Sequence, residues 1–173
     1  MGKQKLKYLV IHCTATPEGR DVSAADIRRM HTSPKPQGRG WRQVGYTDLF
    51  RLDGTRERLV ENNEDAFVDP WEITNGAAGY NSVSRHIVYA GGCDRQMKPK
   101  DTRTAAQRKA MAEYVLDFHR RHPDVKIIGH RDLSPDRNNN GKIEPSEWIK
   151  DCPSFEVSEW LKSIGIKQYI AVR

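Results

Sequence analysis

The chain has 173 residues, of which 36% are hydrophobic and 30% are charged, and its formal net charge is +6. This length and composition are typical of one globular domain, and no apolar run approaches the roughly 20 residues that a spanning helix needs. Basic residues are scattered among acidic ones, which argues against a nucleic-acid partner and is compatible with an anionic polymer.

The cysteines and the N-terminus bear on the compartment. Cys13, Cys93 and Cys152 form an odd set, so we expect no disulfide framework and one thiolate available to a metal. Residues 1–7 are basic like the start of a signal peptide, but the apolar stretch at 8–11 is too short for a hydrophobic core segment. We therefore expect no signal peptide, a protein that is cytoplasmic as synthesised, and no membrane insertion.

The first predicted elements are a strand and a helix. Residues 5–14 are mainly apolar, with His12 near their carboxyl end. Ser23 is a candidate N-cap with Asp26 three residues on, which predicts a helix behind it. Residues 33–40 contain two prolines and two glycines, which predicts a loop.

The middle of the chain contains strand signals. Residues 45–52 and 55–60 are predicted to pair as a hairpin around the turn Asp53-Gly54. The stretch 61–79 has no regular pattern, and residues 84–90 predict a further strand.

Two helices and a strand are predicted in the last third. Thr104 and Gln107 form a capping box at the start of the longest helix, which Pro123 ends. Residues 125–128 are a short β-branched strand, and a last helix is expected over 157–163. The predicted apolar face of the longest helix comprises Ala105, Met111, Val115, Leu116 and Phe118. This order predicts a single α/β or α+β domain, residues 1–173, with a mixed central sheet flanked by helices.

Two histidines follow strands in equivalent ways, His12 at the end of the first strand and His130 after residues 125–128. Cys152 lies further along the chain. A His/His/Cys set leaves a fourth tetrahedral position open, as in catalytic rather than closed structural zinc sites. From spacing alone, a strand-end histidine is more often a hydrogen-bonded structural residue, and that alternative stays open at this point.

Five segments occur in an order that resembles a known family. They are residues 10–16 (VIHCTAT), 44–46 (VGY), 79–81 (GYN), 129–132 (GHRD) and 150–155 (KDCPSF). Together they resemble the type 2 N-acetylmuramoyl-L-alanine amidases, which include phage lysozyme-like amidases and peptidoglycan recognition proteins. The resemblance extends from about Tyr8 to Phe155.

The resemblance implies one zinc ion held by His12, His130 and Cys152. It also implies that Tyr46 and Lys150 flank the metal as catalytic residues, Lys150 neutralising the oxyanion and Tyr46 donating a hydrogen bond or a proton. Without the resemblance, Tyr46 is a half-buried strand tyrosine and Lys150 a surface lysine.

The segment before Gly-Tyr-Asn departs from the family pattern. Many members have a histidine there, whereas this chain reads Thr74-Asn75-Gly76-Ala77-Ala78. Asn75 is a candidate to hydrogen-bond substrate instead, together with Asn81. The remaining histidines are not expected to be ligands; they are His31, His86, His119 and His122. Cys13 is expected to be a core residue, since strand alternation turns it away from His12.

Residues 136–147 fit the twelve-residue EF-hand calcium loop, inserted between the second histidine and the cysteine. Oxygen-bearing side chains stand at positions one, three, five, nine and twelve, and Gly141 is at six. The candidate calcium ligands are Asp136, Asn138, Asn140, Lys142 through its carbonyl, and Glu147. A helix is predicted around 147–150. The alternative is an Asn-rich surface loop without an ion.

The leading hypothesis is a zinc-dependent amidase that acts on peptidoglycan or muropeptides as a monomer, of phage or prophage lysin type. It would reach the wall through a holin or lysis, although an intracellular recycling enzyme fits the sequence as well. A non-catalytic peptidoglycan-binding module is the main alternative. A calcium-responsive interaction protein leaves the histidines unexplained, and a nuclease would need a firmer basic groove.

Overall fold

The computed structural model describes residues 2–168. The strands are β1 Gln4–Lys5, β2 Tyr8–Cys13, β3 Thr16–Pro17, β4 Asp48–Phe50, β5 Arg56–Arg58, β6 Phe67–Val68, β7 Ser84–Tyr89, β8 Gly92–Cys93 and β9 Lys126–Gly129. The α-helices are α1 Ala24–Thr32, α2 Ala105–Arg121 and α3 Val157–Ser163. Four 3-10 turns lie at Pro70–Glu72, Asn81–Val83, His130–Leu133 and Pro145–Glu147. No helix among residues 2–168 is long and apolar enough to cross a bilayer.

Five strands form the central sheet in the order β5-β4-β7-β2-β9. Strands β4, β7, β2 and β9 are parallel, and only β5 runs antiparallel, as the hairpin partner of β4. The mixed sheet of an α+β domain is therefore confirmed. The two remaining sheets have two strands each, β1 with β6 and β3 with β8.

Strand alternation divides the sheet into two faces. Leu9, Ile11 and Cys13 of β2 pack in the main core, where α2 contributes Met111, Val115 and Phe118 and α3 contributes Val157, Trp160 and Leu161. Val10 and His12 point the opposite way, as strand geometry requires. His12, the first predicted ligand, therefore lies on the second face of the sheet. The prediction that Cys13 is a core residue is confirmed.

The capping residues behave as their sequence predicts. Ser23 accepts a hydrogen bond from the Asp26 N–H at the start of α1, and Thr104 accepts one from Gln107 at the start of α2. The reciprocal side-chain contacts complete both capping boxes. The predicted bounds 157–163 of α3 are those observed.

Three local predictions were wrong. Leu116 is 43% exposed and Ala105 is exposed, whereas Gln107 is buried and donates to the backbone carbonyls of Phe50 and Ala90. Strand β4 is only three residues long, because residues 45–47 form the loop that brings Tyr46 to the second face. The helix predicted around 147–150 does not form; the chain has a 3-10 turn at Pro145–Glu147 instead, with proline as its first residue.

Candidate metal centre

His12, His130 and Cys152 lie together at the carboxyl end of the parallel strands. Their ligand atoms are all within 4.8 Å of one another, and this is the one such His/Cys/Asp/Glu cluster found in residues 2–168. His12 Nδ1 is 3.7 Å from Cys152 Sγ, and the two imidazole centroids are 4.6 Å apart. The register explains the pairing: Ile11 is level with Gly129, so the next residue along β2 and the first residue after β9 are the two histidines.

The loop that carries Cys152 is held in place by three hydrogen bonds to main-chain carbonyl oxygens. The Arg131 N–H donates to the Cys152 carbonyl oxygen at 2.8 Å, and the Tyr89 hydroxyl donates to the Pro153 carbonyl at 2.6 Å. Ser154 adds a hydrogen bond to the Gly92 carbonyl. The loop position is thus fixed by β7, β8 and the residue after His130, although Cys152 is 22 residues further along the chain than His130.

The donor set suits a soft or borderline divalent ion such as zinc. Burial, then the neighbouring His86 and His130, lower the pKa of His12, and burial followed by the Lys150 charge lowers the pKa of His130 to about 4. Both imidazoles are therefore neutral at pH 7, which is the ligating form. The Cys13 backbone N–H points at Cys152 Sγ from 3.3 Å, a contact that stabilises a thiolate. Burial raises the pKa of the Cys152 thiol, so the metal-free site holds this group protonated.

Tyr46 lies beside the cluster, with its ring centroid 5.0 Å from that of His12. His31 supports it from behind: its Nδ1 accepts a hydrogen bond from the Gly45 N–H at 3.0 Å, and its ring packs on Tyr46. Burial raises the pKa of Tyr46 well above its ordinary value, so the phenol stays protonated and is available as a hydrogen-bond donor.

A cleft of about 530 Å³ opens next to the cluster, and Lys150 and His130 stand at its wall. Asn75 and Asn81 also line it. The Asn75 amide donates to the Gln43 carbonyl, and the Asn81 Oδ1 atom accepts two internal hydrogen bonds. The lining contains basic and aromatic side chains and no carboxylate; these side chains are Arg39, Trp41, Arg42, Tyr80 and Lys150.

The predicted calcium loop is closed by its own hydrogen bonds. The carboxylate of Asp136 accepts from the Asn140 and Gly141 N–H groups. Glu147 is 5% exposed, and its two oxygens accept from backbone N–H groups of residues 137, 138 and 144. Asn138 donates to the side chain of Glu144, and the Asn140 side chain accepts from the Lys142 N–H.

Sequence reasoning missed one residue at the site. His86 was not expected to be a ligand and is not in the cluster, yet its Nδ1 is 2.9 Å from His12 Nε2. It lies on β7, level with Val10 of β2, and points to the same face as His12. The parallel pairing of β2 with β7 brings the two histidines together, and the order of the elements in the sequence does not specify that pairing.

The carboxyl end of the parallel strands therefore carries a His/His/Cys cluster that could hold a metal ion, beside a cleft with basic side chains, in an α+β domain. Residues 2–147 match the family model described as N-acetylmuramoyl-L-alanine amidase. The chain belongs to this family, type 2. The family match ends before Cys152, so this residue is assigned to the site because its thiol lies close to His12 and His130.

Similar proteins include phage endolysins. The endolysin of Enterobacteria phage K11 is 29% identical over 161 residues, covering 93% of this chain and 89% of its own. The endolysin of Escherichia phage T7 is 26% identical, with 91% and 87% covered. An uncharacterised Haemophilus influenzae protein is 41% identical over 53% of this chain, spanning 79% of its own length.

Solved structures share the fold. The amidase LysC from Clostridium intestinale has a TM-score of 0.65 at 18% identity, covering 94% of this chain and 87% of its own. The peptidoglycan recognition protein PGRP-SA of a bumblebee gives 0.60 at 17% identity, with 94% and 87% covered.

Proposed function

We propose that the protein is a zinc-dependent N-acetylmuramoyl-L-alanine amidase that hydrolyses the amide bond between N-acetylmuramic acid and L-alanine in peptidoglycan. The observation that carries the proposal is the convergence of His12, His130 and Cys152 within 4.8 Å at the wall of a cleft. The family match and the endolysin relatives support the substrate class.

The three side chains would hold the ion through two neutral imidazole nitrogens and a thiolate. When bound, zinc supplies Lewis-acid polarisation of the amide carbonyl and a lowered pKa for the attacking water. The Cys13 N–H keeps the thiolate oriented, and burial of His12 keeps bulk water away from one side of the site.

Two further side chains take part in catalysis in this proposal. Lys150 lies exposed at the cleft wall next to His130, where its ammonium group stabilises negative charge on the substrate carbonyl oxygen. The Tyr46 phenol, beside His12, stays protonated and donates a hydrogen bond to the reacting groups.

Asn75 and Asn81 are proposed to contact substrate from the cleft. Because the Asn81 Oδ1 atom is occupied by internal donors, a contact from this residue falls to its Nδ2 atom. The Asn75 Nδ2 atom bonds the Gln43 carbonyl, so its oxygen is the group offered to substrate.

A non-catalytic binding module is the less favoured function. A module of that kind needs the cleft but no ligand set, whereas this chain brings two imidazoles and a thiol together, with a half-buried tyrosine beside them. We propose a lysin of phage or prophage type, which reaches the wall after holin action or lysis and works as a monomer, in one catalytic domain. The endolysin relatives support this choice.

Digestion of purified sacculi tests the proposal. The wild-type protein should release new L-alanine amino termini, and Cys152→Ala or zinc chelation should stop this. Cys93→Ala is the matched control, because Cys93 is buried outside the cluster and should leave activity intact. New reducing-end sugars without amino termini would indicate a glycosidase and refute the amidase.

We also propose a structural calcium ion in residues 136–147, with Asp136, Asn138, Asn140, the Lys142 carbonyl and Glu147 as ligands. The EF-hand pattern supports it. For Glu147 to ligate in a bidentate manner, its hydrogen bonds to residues 137, 138 and 144 must be exchanged for the ion. Calcium should raise the melting temperature of wild type but not of Asp136→Ala; an equal response in both, or none, argues for a loop without an ion.

A further inference from the structure

A chain of hydrogen bonds runs from the candidate metal centre into the protein interior. His12 Nε2 is 2.9 Å from His86 Nδ1, and His86 Nε2 is 3.0 Å from Asn81 Oδ1. Asn81 Oδ1 also accepts the backbone N–H of Ala77 at 2.8 Å. Three side chains from β2, β7 and a 3-10 turn are thereby linked to one main-chain donor.

The Ala77 N–H sets the direction of every hydrogen bond in this series. A backbone N–H can only donate, so the Asn81 atom that meets it is the amide oxygen, an acceptor. The His86 Nε2 atom facing the same oxygen must therefore carry a proton. A neutral His86 then has an unprotonated Nδ1, which accepts a hydrogen bond from the N–H at His12 Nε2.

The series of hydrogen bonds ends at the unprotonated Nδ1 atom of His12. With its proton on Nε2, a neutral His12 presents an unprotonated Nδ1, and this is the atom 3.7 Å from Cys152 Sγ. Metal-ligating histidines usually donate their second ring N–H to a carboxylate, a carbonyl or water, which fixes both tautomer and ring orientation. Here a second histidine takes that place.

The packing around His86 holds its ring in this position. The side chain is fully buried, and Gly76 lies flat against it. A Cβ atom at residue 76 would lie 2.4 Å from both Cγ and Nδ1 of His86 and 2.8 Å from the Gly45 carbonyl oxygen. The absence of a side chain at Gly76 therefore makes room for the imidazole beside β2.

We propose that His86 is a positioning residue of the metal centre, which fixes His12 as the Nε2–H tautomer and aims its Nδ1 at the ion. This inference rests on the proposed zinc function for its consequence, although the tautomers belong to the metal-free protein. Loss of an outer hydrogen-bond partner of this kind costs about 10-fold to 100-fold in metal affinity.

Two substitutions separate positioning from packing. His86→Asn keeps an acceptor oxygen near the place of Nδ1, and His86→Leu fills similar space without an acceptor. Competition with a chromophoric chelator should give a zinc Kd that rises about 10-fold to 100-fold in His86→Leu. The Kd of His86→Asn should stay closer to that of wild type. A histidine that only packs would give equal zinc affinity in both variants once circular dichroism shows both folded.

A second measurement needs no variant. Long-range 1H–15N correlation spectra of the metal-free wild-type protein report the tautomer of each histidine. The expected result is a proton on Nε2 in both His12 and His86; a proton on Nδ1 of either ring overturns the proposal, even if His86→Leu fails to fold. If wild type does not bind zinc stoichiometrically, the zinc function fails, while the tautomers still decide whether the hydrogen-bond chain exists.

Discussion

The hydroxyl of Tyr89 donates a hydrogen bond to the carbonyl oxygen of Pro153 at 2.6 Å. Tyr89 is fully buried at the end of β7, and Pro153 directly follows the cysteine of the metal centre. One hydrogen bond therefore connects the middle of the sheet with the loop that carries Cys152.

Removing this hydroxyl should weaken both the fold and the metal site. Tyr89→Phe leaves a carbonyl without its buried donor, which costs about 1–3 kcal/mol of unfolding free energy. Urea denaturation of the metal-free protein measures that loss, and chelator competition should show weaker zinc binding. Tyr114→Phe is the matched control, because its hydroxyl bonds Asp48 of β4 and not the loop that carries Cys152; it should lose stability with zinc affinity unchanged. Equal zinc affinity in both variants contradicts the prediction.

Lys150 and Tyr46 should affect turnover more than zinc binding. We expect Lys150→Met to lower kcat about 100-fold, at the lower end of the range for loss of one oxyanion-stabilising donor. Tyr46→Phe should lower kcat about 100-fold through the lost donor next to His12. Steady-state kinetics on a soluble muropeptide, with zinc content measured in parallel, check this. Lys162→Met, at an exposed position of α3, serves as the control; a similar drop there would show a general charge effect.

The metal-free protein should lose stability as the pH falls from about 6.5 to about 4. Burial, with a smaller contribution from Arg39, lowers the pKa of His31 to about 4, so the unfolded chain binds a proton in this window that the folded protein does not. The contribution of His31 to the free energy of unfolding is therefore fully present above its pKa in the unfolded chain. Below that pKa the contribution declines by about 1.4 kcal/mol per pH unit for one group.

The variant His31→Asn isolates this contribution. The asparagine oxygen can accept the hydrogen bond that the Gly45 N–H donates to His31 Nδ1, but the amide side chain does not titrate. Urea denaturation at pH 5 and pH 7 in the presence of a chelator should show a smaller difference in the variant. An unchanged difference would assign the acid sensitivity to other groups.

Arg39 and Arg42 should contribute to substrate affinity. Both line the cleft, which contains no carboxylate side chain, and Arg39 stacks on Trp41 at 4.9 Å. Arg39→Gln and Arg42→Gln should raise KM for muropeptides several-fold at low salt, with less effect at high salt because ions screen exposed charges. Arg95→Gln, exposed and outside the cleft lining, is the control.

Much of the fold could be predicted because its signals are local. The capping boxes at Ser23 and Thr104 specify helix starts through side-chain contacts within four residues. The candidate ligands His12 and His130 were recognisable because each lies at the carboxyl end of a predicted strand, and the carboxyl ends of parallel strands share an edge.

What could not be predicted depends on contacts distant in sequence. The role of His86 requires the register of β7 on β2, which a single chain order does not reveal. The exposure of Leu116 follows from how α2 turns on the sheet, with Gln107 buried against two strand carbonyls. The turn at Pro145–Glu147 replaces a helix because Glu147 is engaged with the backbone of residues 137, 138 and 144.

The alignment of Ile11 with Gly129 has a consequence for folding fidelity. If β9 slipped by one residue along β2, His130 would move by about 3.3 Å and the two imidazoles would no longer face one ion. An ion that binds only the correctly aligned sheet adds its binding free energy to that arrangement alone. A bound ion would therefore favour the correct strand register, and we expect zinc present during refolding to increase the yield of correctly paired chains.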